Sequence, residues 1–473
     1  MIADFALKKI LSFFPFEPTS EQASALQILS GFLLSGERNR VLLLKGYAGT
    51  GKTTMLGATV KMMDSLKQKT ILMAPTGRAA KVFSEYASHS AFTIHKKIYR
   101  QKGFSNDFSG FTLMDNLHKD TIFIVDEASM ISNESTGIAV FGSGRLLDDL
   151  IHYTYSGENC RLILMGDSAQ LPPVSLAYSP ALSAEYLQRY DLHVTEIQLT
   201  QVVRQQNDSG ILFNATNIRE ALRNGKIDIY PKITTNRFTD IKKINGSELI
   251  EEISSAYARD GIDDTMVICR SNKNANIYNN GIRNRILYRE EEISSGDRLM
   301  VVKNNYFWGN EQKDHDFIAN GEIIQVLRVR HTEEMHGFRF CNVLVRFDDY
   351  DAEMELKILL DTLQSQAPAL TRELSDKLFL SVAEDYADIR AKSERMKKIK
   401  EDPYFNAVQV KYAYAVTCHK AQGGQWSNVF LDVGYVTGDM LGEDFYRWLY
   451  TAFTRATKRL YPVNWRLGEN NND

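Results

Sequence analysis

A glycine-rich segment that carries a lysine and three threonines follows an apolar run near the start of the chain. The run ends at Leu44, and Gly46, Gly51, Lys52 and Thr53 fit the spacing G-x-x-x-x-G-K-T. Glycines at this spacing let backbone N–H groups point at a phosphate, and the helix that starts there adds its positive end. The segment predicts a nucleoside triphosphate site in which Lys52 reaches the outer phosphates and Thr53 holds Mg²⁺. Its candidate nucleotide-binding residues are Gly46, Ala48, Gly49, Thr50, Gly51, Lys52, Thr53 and Thr54.

Two adjacent carboxylates close a later apolar run that spans residues 121–125. At the end of a buried strand, Asp126 would hold Mg²⁺ and Glu127 would orient or deprotonate the attacking water. Adjacent acids can instead cap the helix that follows them. The phosphate-binding segment upstream favours the catalytic interpretation for Asp126 and Glu127.

A third polar segment follows the apolar run 161–165 and contains Gly166, Asp167 and Gln170 before a Pro-Pro pair. The amide of Gln170 suits a sensor of the terminal phosphate, because the two prolines would hold its position. A simple turn is the alternative.

The elements that must position these residues alternate between strand and helix over the first 200 residues. Buried apolar runs that alternate with helices predict a mostly parallel sheet with helices on both faces. Ligands of such sheets bind beyond the carboxyl ends of the strands. We therefore expect the three polar segments to meet at one edge of the sheet.

The second half of the sequence repeats the α/β pattern but interrupts it. A strand-like run at 265–269 precedes a β-like region from Gly296 to Phe347 and a charged helical region at 351–402. The α/β pattern returns with the apolar run 410–417. This order predicts a second core with an inserted β subdomain and helical segment. A charge run is ordinarily a solvated helix face, and we expect that of 390–402.

The composition is that of an ordinary globular protein with a net charge of −3, so a polyanion would have to bind in a local groove. The four cysteines form no C-x-x-C pair, which favours a reducing, cytoplasmic location. No apolar stretch approaches the length of a membrane span. Since no coiled-coil pattern is evident, we expect a monomer.

Further short motifs accompany the three polar segments. They are Thr19-Ser20-Glu21-Gln22, Ala74-Pro75-Thr76-Gly77-Arg78, Thr93-Ile94-His95, Leu199-Thr200-Gln201-Val202-Val203-Arg204-Gln205, Thr417-Cys418-His419-Lys420-Ala421-Gln422-Gly423 and Tyr450-Thr451-Ala452-Phe453-Thr454-Arg455. In this order the motifs resemble those of superfamily-1 DNA helicases of the 5′-to-3′ branch, the RecD-like and phage Dda-like group. The resemblance runs from about residue 17 to 462 and is weakest at 101–118 and 351–402.

The resemblance implies an α/β fold with two RecA-like P-loop NTPase cores that contain parallel sheets. It implies a small hairpin inserted in the first core and an SH3-like β barrel with a helical segment inserted in the second. The expected boundaries are 1–95 and 119–200 for the first core, 96–118 for the hairpin, 201–295 and 406–473 for the second core, and 296–405 for the barrel and helical segment.

The resemblance also implies roles around ATP. Gln22 would contact the adenine, and Gly423 would join the nucleotide site. Arg204 and Arg455 would reach the γ-phosphate from the second core and stabilise the charge that spreads in the transition state. Without this context, a single arginine is more often a surface residue. The implied catalytic set is Lys52, Asp126, Glu127, Gln170, Arg204 and Arg455.

Residues of both cores would contact single-stranded DNA by the same resemblance. They are Pro75, Thr76, Arg78, Thr93, His95, Thr417, His419, Lys420 and Gln422. Between the first-core motifs, the insert carries Phe104, Phe108 and Phe111, where relatives have a pin that splits the duplex. One of them could stack on the last base pair. Equally, these phenylalanines could pack the insert onto its own core.

Three functional hypotheses remain open at this point. The first is an ATP- and Mg²⁺-dependent DNA helicase or translocase that moves 5′ to 3′ on single strands and opens junctions. The second is an RNA-directed helicase of the same superfamily, because nothing in the motifs reads the 2′-hydroxyl. The third is a nucleotide-switched DNA-binding subunit of a larger repair or recombination complex.

Overall fold

The computed structural model describes residues 2–101, 111–135, 141–202, 208–308, 317–348 and 352–465. Three of the predicted site residues, Phe104, Phe108 and Arg204, lie outside these ranges. Among the described residues, no helix is both long and apolar enough to cross a membrane.

The first core is built on a parallel sheet with strand order β3-β2-β6-β7-β1-β8, and β4 and β5 form a separate antiparallel pair. The strands of this half are β1 (Arg40–Gly46), β2 (Lys69–Ala74), β3 (Ala91–Thr93), β4 (Tyr99–Gln101), β5 (Phe111–Leu113), β6 (Thr121–Val125), β7 (Arg161–Gly166) and β8 (His193–Leu199). The helices are α1 (Ile2–Phe13), α2 (Ser20–Leu34), α3 (Lys52–Ser65), α4 (Gly77–Ala87), α5 (Ile94–Ile98), α6 (Leu146–Ser156) and α7 (Ala184–Gln188).

The inner strands β6, β7 and β1 of this sheet are buried on both faces, which explains their continuous apolar sequences. In β1, Leu42 and Leu44 join one hydrophobic cluster, whereas Val41 and Leu43 join the cluster on the opposite face. Successive side chains of a strand point to opposite faces, so a strand covered on both sides must be apolar throughout. Strands β6, β7 and β1 are neighbours. Their carboxyl ends therefore bring the three polar segments to one edge of the sheet.

The second half contains another parallel sheet and a closed barrel, with strand orders β15-β9-β16-β17 and β10-β11-β12-β13-β14. The strands are β9 (Thr265–Cys269), β10 (Arg298–Val301), β11 (Ile323–Met335), β12 (Phe338–Phe347), β13 (Glu353–Leu359), β14 (Val408–Tyr412), β15 (Ala415–Thr417), β16 (Trp426–Asp432) and β17 (Ala456–Val463). The helices are α8 (Gly210–Arg223), α9 (Leu249–Asp260), α10 (Asn272–Arg285), α11 (Arg372–Asp385), α12 (Lys392–Lys400), α13 (Cys418–Ala421) and α14 (Glu443–Phe453).

These two sheets, the β4–β5 hairpin, the barrel and the helices α11 and α12 confirm the predicted fold class. One predicted strand is divided, however. The run 410–417 supplies the end of β14 to the barrel and β15 to the second core. The barrel therefore extends past residue 405, and we propose Tyr412 as its boundary. The sequence of this run contains no glycine, proline or polar turn that would mark the change of sheet. Ala413 and Tyr414, which connect the two strands, are as buried as the strands themselves.

The two helices of the insert lie against the barrel. Leu378 and Val382 of α11 and Ile399 of α12 share a hydrophobic cluster with Phe338 and Phe340 of β12. The exposed residues of α12 are mostly charged, as expected of a solvated face, whereas α11 also exposes Leu374 and Leu380. The helical segment therefore thickens one side of the barrel.

A buried carboxylate joins the barrel to the second core where the chain enters the barrel. Asp297, which is 0% exposed, accepts two hydrogen bonds from Arg283 of α10, at 3.0 and 2.9 Å. Arg289 and the hydroxyl of Tyr414 also donate to it, at 2.8 and 3.0 Å. Because the ions are withdrawn from water, each depends on the others for its solvation.

We expect Asp297→Ala to lower the free energy of unfolding by about 3–5 kcal/mol, since two guanidinium groups would lose the carboxylate that solvates them. The denaturant midpoint measures this loss. Glu158→Gln is the control, because Glu158 and its partner Lys119 are both exposed and such pairs stabilise little. Equal midpoints for the two variants would contradict the role given to Asp297.

Candidate nucleotide and nucleic-acid site

The phosphate-binding loop lies between β1 and α3, and two of its glycines are sterically required. Gly49 has φ +76°, and an added Cβ would lie 3.1 Å from Val202 Cγ1. A Cβ on Gly46 would lie 2.8 Å from Thr50 Oγ1 and 2.9 Å from Lys52 Cδ. Glycine at these two positions therefore gives both the left-handed turn and the room for the lysine side chain.

The side chain of Lys52 folds back onto the phosphate-binding loop. Lys52 Nζ donates to the carbonyl oxygens of Gly46 and Tyr47, at 2.6 and 3.0 Å. The helix α3 begins at Lys52 itself, so its positive end faces the loop. A phosphate in the loop would offer the ammonium group a charged acceptor in place of two neutral carbonyls, and charge-assisted hydrogen bonds are the stronger.

The two acids follow β6 and line the same cleft. Asp126 Oδ1 accepts from the N–H of Glu127 at 2.7 Å. Burial in the cleft and the charge of Glu127 raise the pKa of Asp126 to about 7. A divalent cation beside it would favour its charged form, so the donor set suits Mg²⁺, which takes carboxylate and hydroxyl oxygens. Glu127 has φ +52°, which costs a residue other than glycine roughly 1–2 kcal/mol.

Gln170 lies in the segment after β7 and presents a polar atom to the cleft. Its N–H donates to the carbonyl of Asp167 at 3.3 Å, which closes a tight turn. Its side-chain Oε1 is buried and has no hydrogen-bond partner among the described residues. A buried polar atom without a partner is costly, so this amide suits a site that a phosphate or its attacking water completes.

One cleft of about 540 Å³ collects most of the predicted ATP-site residues from both cores. It is lined by Gln22, Ala48, Gly49, Gly51, Lys52, Thr53, Thr54, Asp126, Glu127, Gln170, Gly423 and Arg455, together with aromatic residues including Phe14, Phe16 and Tyr86. Gly46 and Thr50 shape the loop behind this surface; Thr50 is fully buried.

Gln22 has a structural partner in the loop. Its side-chain Nε2 donates to the carbonyl of Thr50 at 3.0 Å, and its Oε1 accepts from the N–H of Thr19 at 3.0 Å. The side chain thereby ties the start of α2 to the phosphate-binding loop. Its contact with adenine stays a prediction.

Helix α14 of the second core contacts the phosphate side of the cleft directly. The Tyr450 hydroxyl accepts from the N–H of Ala48 at 2.9 Å and donates to Asp167 Oδ2 at 2.7 Å. Burial raises the pKa of Tyr450 well above its usual range, so the hydroxyl keeps its proton. The next residue, Thr451, accepts from the N–H of Leu171 at 2.8 Å.

Arg455 lines the cleft from the second core but is held by its own core. Its guanidinium donates to the carbonyls of Thr451 and Gly424, each at 3.1 Å, and to the hydroxyl of Thr454 at 3.2 Å. These three bonds use three of its five N–H groups. Arg455 is only 2% exposed, and its role as an arginine finger stays a prediction.

The first-core candidates for DNA contact cap helices or pack in the interior. Thr76 and Thr93 accept from backbone N–H groups at the starts of α4 and α5. His95 packs on Phe141 with ring centroids 4.7 Å apart. Burial lowers the pKa of His95 to about 4, so the ring is neutral near pH 7. Pro75 is half-buried.

The second-core candidates lie around the short helix α13. Thr417 precedes this helix, and His419 is exposed. Lys420 Nζ donates to Asn320 Oδ1 at 2.5 Å, and burial lowers the pKa of Lys420 to about 8. Gln422 is buried and donates to the carbonyl of Leu171 in the first core at 2.8 Å. Of this group, His419 and Lys420 are thus the better placed to contact single-stranded DNA.

Arg78 is also engaged between the cores. Its guanidinium lies over the ring of Trp426 with its carbon 4.4 Å from the ring centroid, and it donates to the carbonyl of Gln425 at 3.1 Å. Trp426 had no predicted role. A lone tryptophan beside a DNA-binding motif gives no signal of its own, because its partner is more than 300 residues away.

Phe111 is 5% exposed and packs in an aromatic cluster. Its ring centroid lies 4.8 Å from those of Phe141 and Tyr306 and 5.8 Å from that of Phe317. For Phe111 the structure agrees with the alternative in which the insert phenylalanines pack onto the protein. Phe111 packs against the barrel insert as well as its own core. A base could stack on Phe111 only after the cluster opened.

A phosphate-binding loop and paired acids on one parallel sheet, covered by a second parallel α/β core, define a two-core P-loop NTPase. The comparisons agree. A family model described as "AAA domain" matches residues 19–233, and one described as "UvrD-like helicase C-terminal domain" matches residues 412–463. Together with the similar proteins described next, these matches confirm the predicted resemblance to the superfamily-1 DNA helicases of the 5′-to-3′ branch, the RecD-like and Dda-like group.

Two similar helicases share about a quarter of the aligned residues with this chain. The ATP-dependent RecD2 DNA helicase of Deinococcus radiodurans is 26% identical over 94% of the chain and 49% of its own length. The ATP-dependent DNA helicase Dda of Enterobacteria phage T4 is 23% identical over 63% of the chain and 64% of its own length. A crystal structure of Bacteroides Pif1 helicase with ADP-AlF3 and ssDNA is 16% identical, with a TM-score of 0.46, over 95% of the chain and 93% of its own. The chain thus spans about half of RecD2 and under two thirds of Dda.

The place of Arg78 between the cores can be separated from a contact with DNA phosphates. We expect Arg78→Lys and Arg78→Ala each to lower DNA-stimulated ATP hydrolysis several-fold, because a lysine cannot reproduce the planar stack on Trp426. Steady-state ATPase rates with and without single-stranded DNA measure this. A phosphate contact would instead be kept by lysine, so wild-type behaviour of Arg78→Lys would contradict the inter-core role.

Proposed function

We propose that this chain hydrolyses ATP with Mg²⁺ to move 5′ to 3′ along single-stranded DNA and to unwind duplex at a junction. The observation that carries the proposal is that one cleft is lined by Lys52, Asp126 and Glu127 of the first core and by Arg455 of the second. Because both cores line it, what binds in the cleft alters the free energy of core closure.

The residues of the cleft suit phosphoryl transfer to water. Lys52 would leave the two loop carbonyls for the outer phosphates, and Glu127 would orient the attacking water. The spare N–H donors of Arg455 would stabilise charge on the γ-phosphoryl group as it transfers. Thr53 and Asp126 would hold Mg²⁺, which neutralises phosphate charge when it is bound.

Movement would follow from the same contacts. ATP would favour the closed arrangement because donors of both cores bind it, and hydrolysis would remove the γ-phosphate that Arg455 engages. DNA held by His419 and Lys420 on one core and by the first-core motifs on the other would then be passed between them. Arg204 would add a second arginine on the γ-phosphate, and Phe104 or Phe108 would form the pin.

The alternatives differ in substrate and in coupling. An RNA-directed helicase would show ATP hydrolysis stimulated more by single-stranded RNA than by matched DNA. A nucleotide-switched subunit would bind DNA without unwinding it. A cytoplasmic location and a monomeric state stay predictions, and the four cysteines are free and buried.

Unwinding of one duplex with either a 5′ or a 3′ single-stranded DNA tail tests the proposal. We expect ATP-driven unwinding from the 5′ tail alone. Unwinding from the 3′ tail alone would contradict the direction. Hydrolysis that the tail stimulates without any unwinding would favour the subunit hypothesis.

We expect Lys52→Ala to reduce ATP turnover by at least about 100-fold, because the charge that meets the outer phosphates is lost. Binding of single-stranded DNA, measured by fluorescence anisotropy, should change little, since the DNA contacts lie elsewhere. Lys61→Ala is the matched control: Lys61 is an exposed lysine on the same helix. Normal turnover in Lys52→Ala would overturn the assignment of the ATP site.

A further inference from the structure

The hydroxyl of Tyr450 accepts a hydrogen bond from a backbone N–H group of the phosphate-binding loop. Ala48 lies in the phosphate-binding loop, where backbone N–H groups are the donors to phosphate oxygens. Its N–H donates instead to Tyr450 of the second core, 2.9 Å away. One N–H cannot make a full-strength hydrogen bond to two acceptors at once. A phosphate oxygen and the tyrosine hydroxyl therefore compete for Ala48.

The other end of this contact is fixed. Tyr450 is 1% exposed and donates to Asp167 Oδ2, whose partner oxygen Oδ1 accepts from the N–H of Ala169 at 2.9 Å. Asp167 begins the segment that carries Gln170. The hydroxyl thus links the phosphate-binding loop, the Gln170 segment and helix α14 through two hydrogen bonds.

Two neighbouring contacts make the link a property of the core interface. Thr451 follows Tyr450 on α14 and bonds the N–H of Leu171, while Gln422 bonds the carbonyl of the same residue. A change in the hydrogen bond of Ala48 therefore acts on helix α14. The same helix contains Thr451, whose carbonyl oxygen accepts a hydrogen bond from Arg455.

We propose that Tyr450 is a positioning residue for ATP turnover, whose hydroxyl yields the Ala48 N–H to a phosphate oxygen and keeps the Gln170 segment on α14. This rests on the proposed ATP site. The motif match assigned a role to Arg455 alone, although Tyr450 begins the same motif. Only the packing of α14 on the first core shows the contact.

Tyr450→Phe tests the inference, with Tyr446→Phe as the matched control. Tyr446 lies one turn earlier on α14, is equally buried, and donates to the carbonyl of Ile229 within the second core at 2.7 Å. Each variant removes one buried hydroxyl and keeps the ring. The affinity for a non-hydrolysable ATP analogue is measured without DNA, and KM and kcat for ATP are measured with single-stranded DNA.

We expect Tyr450→Phe to bind the analogue about 2- to 10-fold more tightly than the wild type, the worth of one net hydrogen bond removed from the competing state. Its kcat should fall several-fold because the Gln170 segment loses the hydrogen bond between Asp167 and α14, one of the contacts that hold it there. Tyr446→Phe should match the wild type in both. Unchanged or weaker binding by Tyr450→Phe would overturn the proposal, as would an equal effect of the two variants.

A further variant covers the case in which Tyr450→Phe does not fold. Incorporating 3,5-difluorotyrosine at position 450 keeps the hydroxyl but makes its oxygen a weaker acceptor, so binding should tighten in the same direction; unaltered affinity there would also reject the proposal. Failure of the wild type to unwind DNA would reject the proposed function alone, because the affinity comparison needs no DNA.

Discussion

The hold of the second core on Leu171 is the contact on which the rest of the described arrangement depends. Thr451 binds the N–H of this residue and Gln422 binds its carbonyl, while its side chain joins the hydrophobic cluster of the second core. Buried backbone groups must be paired, so separation of the cores would have to hydrate both groups and expose the side chain together. The segment that carries Gln170 is thus covalently part of the first core and packed as part of the second.

The barrel makes a second, different connection between the cores. Its interior belongs to the same hydrophobic cluster as one face of the second sheet, so barrel and second core form one packed body. On the other side, Phe317 packs on Phe111, and Lys96 lies 3.6 Å from Glu322, a carboxylate only 2% exposed. The first contact is extensive and apolar, and the second is small and partly ionic. This second contact consists of the aromatic rings around Phe111 and one ion pair, so it can be broken at a lower cost than the contact between barrel and second core.

The residues that line the candidate ATP site could be predicted from the sequence because their signals are local. Gly46 to Thr54, Asp126 and Gln170 each end an apolar run, and the edge rule for parallel sheets then brings them together. The split between β14 and β15 could not be found, since strands of a barrel and of a buried sheet have the same apolar pattern. The burial of Phe111 depends on Tyr306 and Phe317, which come from an insert nearly 200 residues away.

The contacts that join the two cores beside the cleft could not be predicted from the sequence either, because the residues involved are far apart in the chain. Tyr450 and Trp426 are aromatic residues in apolar surroundings, and nothing in their neighbours distinguishes a core position from an interface. Only the docking of two separately folded cores decides which it is. Polar residues at strand ends are easy to recognise in a sequence, whereas the aromatic residues of the other core that contact the first core are not.

The position of the barrel within the second core has a consequence for how the chain folds. Strand β9 ends at Cys269, and its parallel neighbour β15 begins at Ala415, with the barrel strands β10 to β14 between them. A disordered linker of that length would make this pairing slow and entropically costly. Once the barrel has closed, Asp297 and Tyr414 lie within hydrogen-bonding distance, so the two ends of the insertion are already adjacent. The barrel is therefore the element that should form first, as a template on which the later sheet is completed after its last strands leave the ribosome.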